Sequence, residues 1–199
     1  MTTKERAAKI KKILSFRQSD LRVVLEDVTN THNASAVVRT CDAAAILYLD
    51  VIYNQPFELP VNEAISTRAE KWLHFTYYSS TEECFTALKG KGFKIAATSL
   101  APESQLYTEI DYTQPLAIVF GNEAEGISPR ARALADYLIM IPMKGMVQSL
   151  NLSVSSGIIL FEALRQRSIF SDPKKHYLQP QEYEYFLKKW LYQKNYNSK

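Results

Sequence analysis

Apolar positions along this chain fall into short runs separated by helical or polar stretches, an alternation that predicts a layered α/β fold. The segments "LRVVLEDV" (21–28) and "ILYLDVI" (46–52) carry the leucine, valine and isoleucine density of strands. "WLHFTYY" (72–78), "FKIAATSL" (93–100), "PLAIVFG" (115–121) and "YLIMIP" (137–142) continue the series. Several are nearly unbroken apolar runs, as expected of strands covered on both faces. Between them, "ASAVVRTCDAAA" (34–45) reads as a small-residue helix. "EECFTALKGK" (82–91) reads as a helix capped by Ser79, Ser80 or Thr81 and ended before Gly92. Ser128-Pro129 starts "PRARALAD" (129–136), with a hydroxyl cap followed by proline at the first helical position. Residues 3–18 predict a basic helix with Ala7, Ile10, Ile13 and Leu14 on one side, and 53–70 read as polar and irregular. Past Pro142, an amide and hydroxyl cluster (Gln148, Ser149, Asn151, Ser153) leads into small and aliphatic residues that predict a buried helix. The expectation is a mostly parallel α/β sheet with helices on both faces.

Composition narrows this to one core with extensions. A chain of 199 residues is of single-domain size. Its segments divide into a basic N-terminal helix (1–19), a core (20–167) and a basic, aromatic extension (168–199) that holds Tyr177, Tyr183, Tyr185, Tyr192, Tyr196, Phe186 and Trp190. Net charge is +3, but it is unevenly spread. Residues 1–20 and 164–199 hold 14 of the 24 Lys and Arg and five of the 21 acids, so the ends carry +9 and the middle −6. That segregation fits either a polyanion gripped by the termini or a solvated basic face. No apolar run, Gly157 to Phe161 included, approaches the length of a membrane span, and "MTTKERAAKIKKIL" lacks the apolar core of a signal peptide. Cys41 and Cys84 stand apart without metal-ligand spacing, and three scattered histidines make no zinc pattern. The expected setting is cytoplasmic, with reduced thiols, no membrane and no metal.

In a parallel α/β sheet, ligands bind outside the carboxyl ends of the strands. Three loops there carry candidate chemistry: "VTNTHNASAVVR" (28–39), "FGNEAEGIS" (120–128) and "PMKGMVQSLN" (142–151). The first has no glycine, which excludes a dinucleotide-binding turn. The second lacks Gly-Lys-Ser and holds two acids, which excludes a P-loop. Glu123 either braces its loop or acts in the site. Arg39, among Val37, Val38, Cys41 and Ala43, is either paired with Asp42 or kept for an anion such as phosphate, which its planar fork suits. His32 is either a general base or a structural hydrogen-bonder. Ser149 read alone is a helix cap, which leaves Gln148 and Asn151 unexplained.

Taken together, "HNASAVVRTCDA", "IVFGNEAEGIS" and "IPMKGMVQSLNLSVSSGIILFEALRQR" resemble, in order and spacing, the three motifs of the SpoU (TrmH) branch of the SPOUT RNA methyltransferases. The resemblance covers roughly 20–167. With "EIDYTQPLAIVFGNE" and the two basic extensions, it is closest in kind to members acting on tRNA guanosine 2′-hydroxyls. It implies a deep trefoil knot in the C-terminal part of the sheet, S-adenosylmethionine as methyl donor, a homodimer, and tRNA as substrate, methylated at a D-loop guanosine (position eighteen). Ribosomal RNA or the tRNA wobble nucleotide is an alternative substrate, and a catalytically silent RNA-binding protein on the same scaffold an alternative function. The resemblance places Asn33, Arg39, Glu123, Ser149 and Asn151 in the catalytic site, and Thr98, Gly121, Ile141 and Leu150 around the cofactor. The resemblance also implies Arg39 as the base. Arginine keeps its proton under ordinary conditions, so Arg39 is read first as a phosphate clamp that steers the hydroxyl, with the base role left to a site where the substrate phosphate and neighbours reorganise its charge. Glu125 departs from the basic or bulky residue common among relatives, with Asp42 and Glu123 expected nearby, and this bears on RNA binding.

Overall fold

The computed structural model describes residues 3–53 and 59–192. Residues 54–58 of the polar stretch, Tyr196, Lys194 and Lys199 lie outside the described residues. In chain order the elements are α1 (Lys4–Leu14), β1 (Gln18–Glu26), α2 (Thr31–Ala43), β2 (Ile46–Ile52), a single turn α3 (Glu63–Ser66), β3 (His74–Tyr78), α4 (Thr81–Gly90), β4 (Lys94–Thr98), β5 (Gln105–Leu106), β6 (Leu116–Phe120), α5 (Pro129–Leu134), β7 (Tyr137–Met140), α6 (Leu152–Ile169) and α7 (Pro180–Tyr192). Seven strands form one sheet in the order β3-β2-β1-β6-β4-β7-β5, and every pairing is parallel.

Side chains alternate across the central strands and build two cores. Val23 and Leu25 face one side with Ile118 and Phe120, where α2 supplies Val37, Val38 and Cys41 and α6 supplies Ile159, Leu160 and Ala163. Val24, Ala117 and Val119 face the other, under Cys84, Phe85 and Leu88 of α4 and Ala131 of α5. Near-continuous apolar strands follow from this two-sided cover. Both cysteines are buried and free, and burial pushes both thiols well above their ordinary value.

The terminal helices form a third cluster. Ile10 and Leu14 of α1 pack with Phe186, Leu187 and Trp190 of α7 over Leu47 and Tyr48. Tail residues Phe186 and Trp190 are therefore packing residues, while Tyr185 and Tyr192 are exposed.

Four sequence expectations need correction. The N-terminal helix ends at Leu14 rather than 18, and β1 begins at Gln18. Arg17 is needed inside, where its guanidinium donates to the Ile46 carbonyl at 2.7 Å and pairs with Asp42. Helix α6 is not buried all round: Val154 and Phe161 are 49% and 53% exposed. Its N-cap is Asn151, whose side chain accepts from the Ser153 N–H, and not Ser149. Finally, β5 joins the sheet edge through Gln105 and Leu106 beside β7, a two-residue strand with no apolar run to announce it.

Candidate functional site

At the carboxyl end of β1 the chain turns through Asp27, whose φ of 51° lies in the left-handed region that Asp and Asn tolerate. The Tyr53 hydroxyl fixes the following carbonyl, Val28, at 2.5 Å. Asn30 then caps α2 by accepting from the Asn33 N–H at 3.1 Å. With its backbone satisfied by the cap, Asn33 directs its side chain across the strand ends.

The loop after β6 meets it there. Gly121 is obligatory: a Cβ at that position would lie 2.2 Å from the Gly126 carbonyl carbon and 2.3 Å from the Ile127 nitrogen. Asn122 donates its amide to the Asp27 carbonyl at 2.9 Å and accepts from the Ala124 and Glu125 N–H groups at 2.8 and 3.3 Å. Gly126 closes the turn with its N–H on the Asn122 carbonyl (2.8 Å) and a φ of 71°. Glu123 stands at the tip of this braced turn.

The Asn33 amide nitrogen donates to Glu123 Oε1 at 3.1 Å. Asn151 in turn donates to Asn33 Oδ1 at 2.9 Å. The orientation is forced, because a carboxylate only accepts, so Asn33 must turn its nitrogen to Glu123 and its oxygen to Asn151. Residues from three loops, far apart in sequence, thus form one hydrogen-bonded line at the mouth of a cavity of about 700 Å³.

Eight of the nine sequence-predicted residues line that cavity: Asn33, Thr98, Gly121, Glu123, Ile141, Ser149, Leu150 and Asn151. The Thr98 hydroxyl donates to the Val119 carbonyl at 3.1 Å, which ties the ends of β4 and β6 together beneath it. Phe120, Met140 and Ile159 supply apolar wall, and Arg132 is the cation among the lining residues. Arg132 was not anticipated; from the sequence it sits on a short helix with nothing to mark it. Volume, apolar walls and few convergent polar groups are the character of a small-molecule site.

Arg39 stands outside the lining, exposed on α2 and without a hydrogen bond or ion pair among the described residues. Of the two readings left open, pairing with Asp42 is excluded, since Asp42 binds Arg17. Asp42 belongs to the far end of α2 and is not a neighbour of Glu123; the nearby acids are Glu123 and Glu125. His32 is exposed and does not line the cavity. Among the described residues no group of three His, Cys, Asp or Glu is placed to hold a metal, and no helix is long and apolar enough to cross a membrane.

Basic residues at the two ends divide in two. Arg17 and Arg167 are buried, and Arg167 binds Asp20 along with the carbonyls of Tyr112, Asp20 and Gln114. His176 shares Asp20, at 2.8 Å, and so anchors the C-terminal extension to β1. A second cavity, of about 620 Å³, lies beside Asp20, Phe170 and His176 and holds none of the predicted site residues. Lys4, Lys9, Lys11 and Lys12 on α1 and Lys188 and Lys189 on α7 are exposed, on two helices packed against each other.

Comparison with known proteins agrees with this geometry. Residues 20–161 match the model of the SpoU rRNA Methylase family. The chain is 41% identical over 196 residues to the tRNA (guanosine(18)-2′-O)-methyltransferase of Aquifex aeolicus (strain VF5), an alignment that covers 97% of this chain and 92% of the relative. The crystal structure of the A. aeolicus TrmH/SpoU tRNA modifying enzyme superposes with a TM-score of 0.88 at 41% identity, over 94% of this chain and 95% of that one. The SpoU methyltransferase AviRb from Streptomyces viridochromogenes, solved in complex with AdoMet, superposes with a TM-score of 0.67 at 25% identity, over 79% and 64% of the two chains.

Proposed function

The chain belongs to the SpoU rRNA methylase family, and from that membership we propose that it is a tRNA (guanosine-2′-O)-methyltransferase acting at guanosine 18 of the D-loop, with S-adenosylmethionine as methyl donor. The observation that carries the proposal is the cavity at the strand ends, whose polar rim is the line from Glu123 through Asn33 to Asn151. No metal enters the reading.

The residues fit the donor. The cavity is of cofactor size, and its floor is backbone brought close by a glycine that no larger residue can replace. Thr98, Gly121, Ile141 and Leu150 would hold S-adenosylmethionine largely through backbone groups and apolar contact. Bound there, it supplies a methyl group on a sulfonium, already a strong electrophile. The protein's remaining work is to orient the ribose 2′-hydroxyl for in-line attack and to ease loss of its proton. Asn33, held between a carboxylate and an amide, presents a fixed edge to the ribose, and Glu123 keeps that edge in place. Ser149, with its hydroxyl unbonded among the described residues, shapes the pocket beside Asn151. Arg39, charged and unpaired, clamps a substrate phosphate and steers the hydroxyl.

The exposed lysines of α1 and α7 serve the tRNA body, where phosphate contacts orient the substrate without reading its sequence. Arg17 and Arg167 take no part in this grip, being enclosed by protein. The half-exposed Val154 and Phe161 on α6 support the homodimer. The knot belongs to the same proposal, supported by the return of α6 from the end of β7 to pack on α2. A cytoplasmic setting belongs to the same proposal, supported by the tRNA substrate.

The test is transfer of labelled methyl from S-adenosylmethionine to unmodified bulk tRNA, with nucleoside analysis of the product. Appearance of 2′-O-methylguanosine at position 18 is the expected result. Cofactor binding without transfer to tRNA would move the substrate to another RNA. Absence of both would overturn the enzymatic reading.

A further inference from the structure

We propose that Glu26, the last residue of β1, is a positioning residue that clamps the 121–128 loop in its cofactor-binding shape; the inference rests on reading the large cavity as the S-adenosylmethionine site. Glu26 is 1% exposed and makes no ion pair among the described residues. Burying an unpaired carboxylate costs several kcal/mol unless hydrogen bonds replace its water. Three do. Oε1 accepts from the Thr81 hydroxyl at 2.5 Å and from the Ser128 hydroxyl at 2.8 Å, and Oε2 accepts from the Ser128 N–H at 2.8 Å.

These donors come from two elements whose amino ends meet over β1. Thr81 is the first residue of α4, and Ser128 is the N-cap of α5. The Ser128 hydroxyl also accepts from the Ala131 N–H at 3.0 Å, so its proton is left to point at Glu26. Capping of α5 and the bond to Glu26 are therefore one arrangement.

The adjacent residue of the same strand end completes the clamp. Asp27 takes the Asn122 amide on its carbonyl at 2.9 Å. Two consecutive residues thus hold both ends of one loop, Asn122 through Asp27 and Ser128 through Glu26. Between those points lie Glu123 and the turn that presses on Gly121. A glutamine at position 26 does not reproduce the carboxylate. Its oxygen keeps the Ser128 N–H, but its NH₂ then faces the Thr81 and Ser128 hydroxyls that donate to Glu26, and both must turn their protons away and accept instead.

The experiment compares the parent enzyme with Glu26→Gln and, as a second variant, Ser128→Ala. Amide hydrogen exchange is read without cofactor, and KM is measured separately for S-adenosylmethionine and tRNA. In both variants, exchange should rise at least tenfold in 121–128 and stay unchanged in β1 and α2. KM for S-adenosylmethionine should rise tenfold or more, with that for tRNA unchanged. Equal exchange in the loop, or a cofactor KM equal to the parent's, would overturn the clamp. Should Glu26→Gln fail to fold, Ser128→Ala decides by the same readouts. Should the parent itself bind no S-adenosylmethionine, the reading of the cavity falls, and exchange in 121–128 alone decides the clamp.

Discussion

The amide nitrogen of Asn33 lies 3.1 Å from the Glu123 carboxylate, a bond that joins the first and second polar loops across 90 positions of sequence. Replacing Glu123 by Gln leaves Asn33 free to turn over, because an amide can donate as well as accept. Methyl transfer by Glu123→Gln should fall at least tenfold, about 1.4 kcal/mol, with S-adenosylmethionine affinity nearly unchanged. Asn33→Asp sets two carboxylates against each other and should lose more. Single-turnover kinetics alongside calorimetric binding checks both.

Arg39 is exposed and unpartnered among the described residues, so Arg39→Ala should alter stability by no more than about 0.5 kcal/mol. Turnover should nevertheless fall by two orders of magnitude or more, with cofactor binding retained. Unchanged turnover in a tRNA assay would remove Arg39 from the mechanism.

At Gly121 the smallest possible side chain already collides with backbone, at 2.2 Å. Gly121→Ala must move the 121–128 turn, and overpacking of this kind costs about 1–3 kcal/mol. Loss of cofactor binding should exceed the loss of stability, as judged by isothermal titration and urea unfolding of the same sample.

Arg167 is buried against Asp20 and three backbone carbonyls. Arg167→Met leaves the Asp20 carboxylate and those carbonyls without it. Breaking a buried pair by removing one partner costs about 3–5 kcal/mol. Urea unfolding followed through Trp190, which α7 buries against α1, should report a loss in that range.

His74 lies between the rings of Tyr48 and Phe186, at 5.7 and 5.6 Å. Burial, then the positive charges of Lys189 and Arg22, hold its pKa below the ordinary 6.5. The unfolded chain therefore takes up this proton first as pH falls. The contribution of His74 is intact above pH 6.5 and is lost as pH drops from there through the lowered folded value. His74→Phe should flatten that part of the stability profile between pH 7 and 5, measured by urea midpoints. An unaltered profile would show that another group sets the acid limit.

Much of this molecule was legible along the chain. Ile46–Ile52 appears as a strand with the bounds its apolar run suggested, and Ser128-Pro129 starts a helix as its chemistry requires. Such features are local: a β-branched run, a hydroxyl cap or a proline acts through its own backbone. Partner choice is not local. Asp42 is three residues from Arg39 and yet binds Arg17, because only Arg17 is enclosed where an unpaired charge would be costly. Ser149 and Asn151 both resemble caps, and the turn before α6 gives that place to Asn151. Among the described terminal cations, Arg17 and Arg167 proved to be internal struts, which no count of charges distinguishes from surface lysines.

The sequence by itself determined the α/β class and the three loops that carry chemistry, since strand periodicity places those loops at a common edge. The nine site residues came from the family resemblance, and eight of them line one cavity. Tertiary structure alone decided that Glu123, Asn33 and Asn151 share one hydrogen-bonded line, that Arg39 stands apart from it, and that Glu26 braces the loop beneath. Those relations depend on side chains brought within about 3 Å by packing of the sheet, a distance that no spacing along the chain encodes.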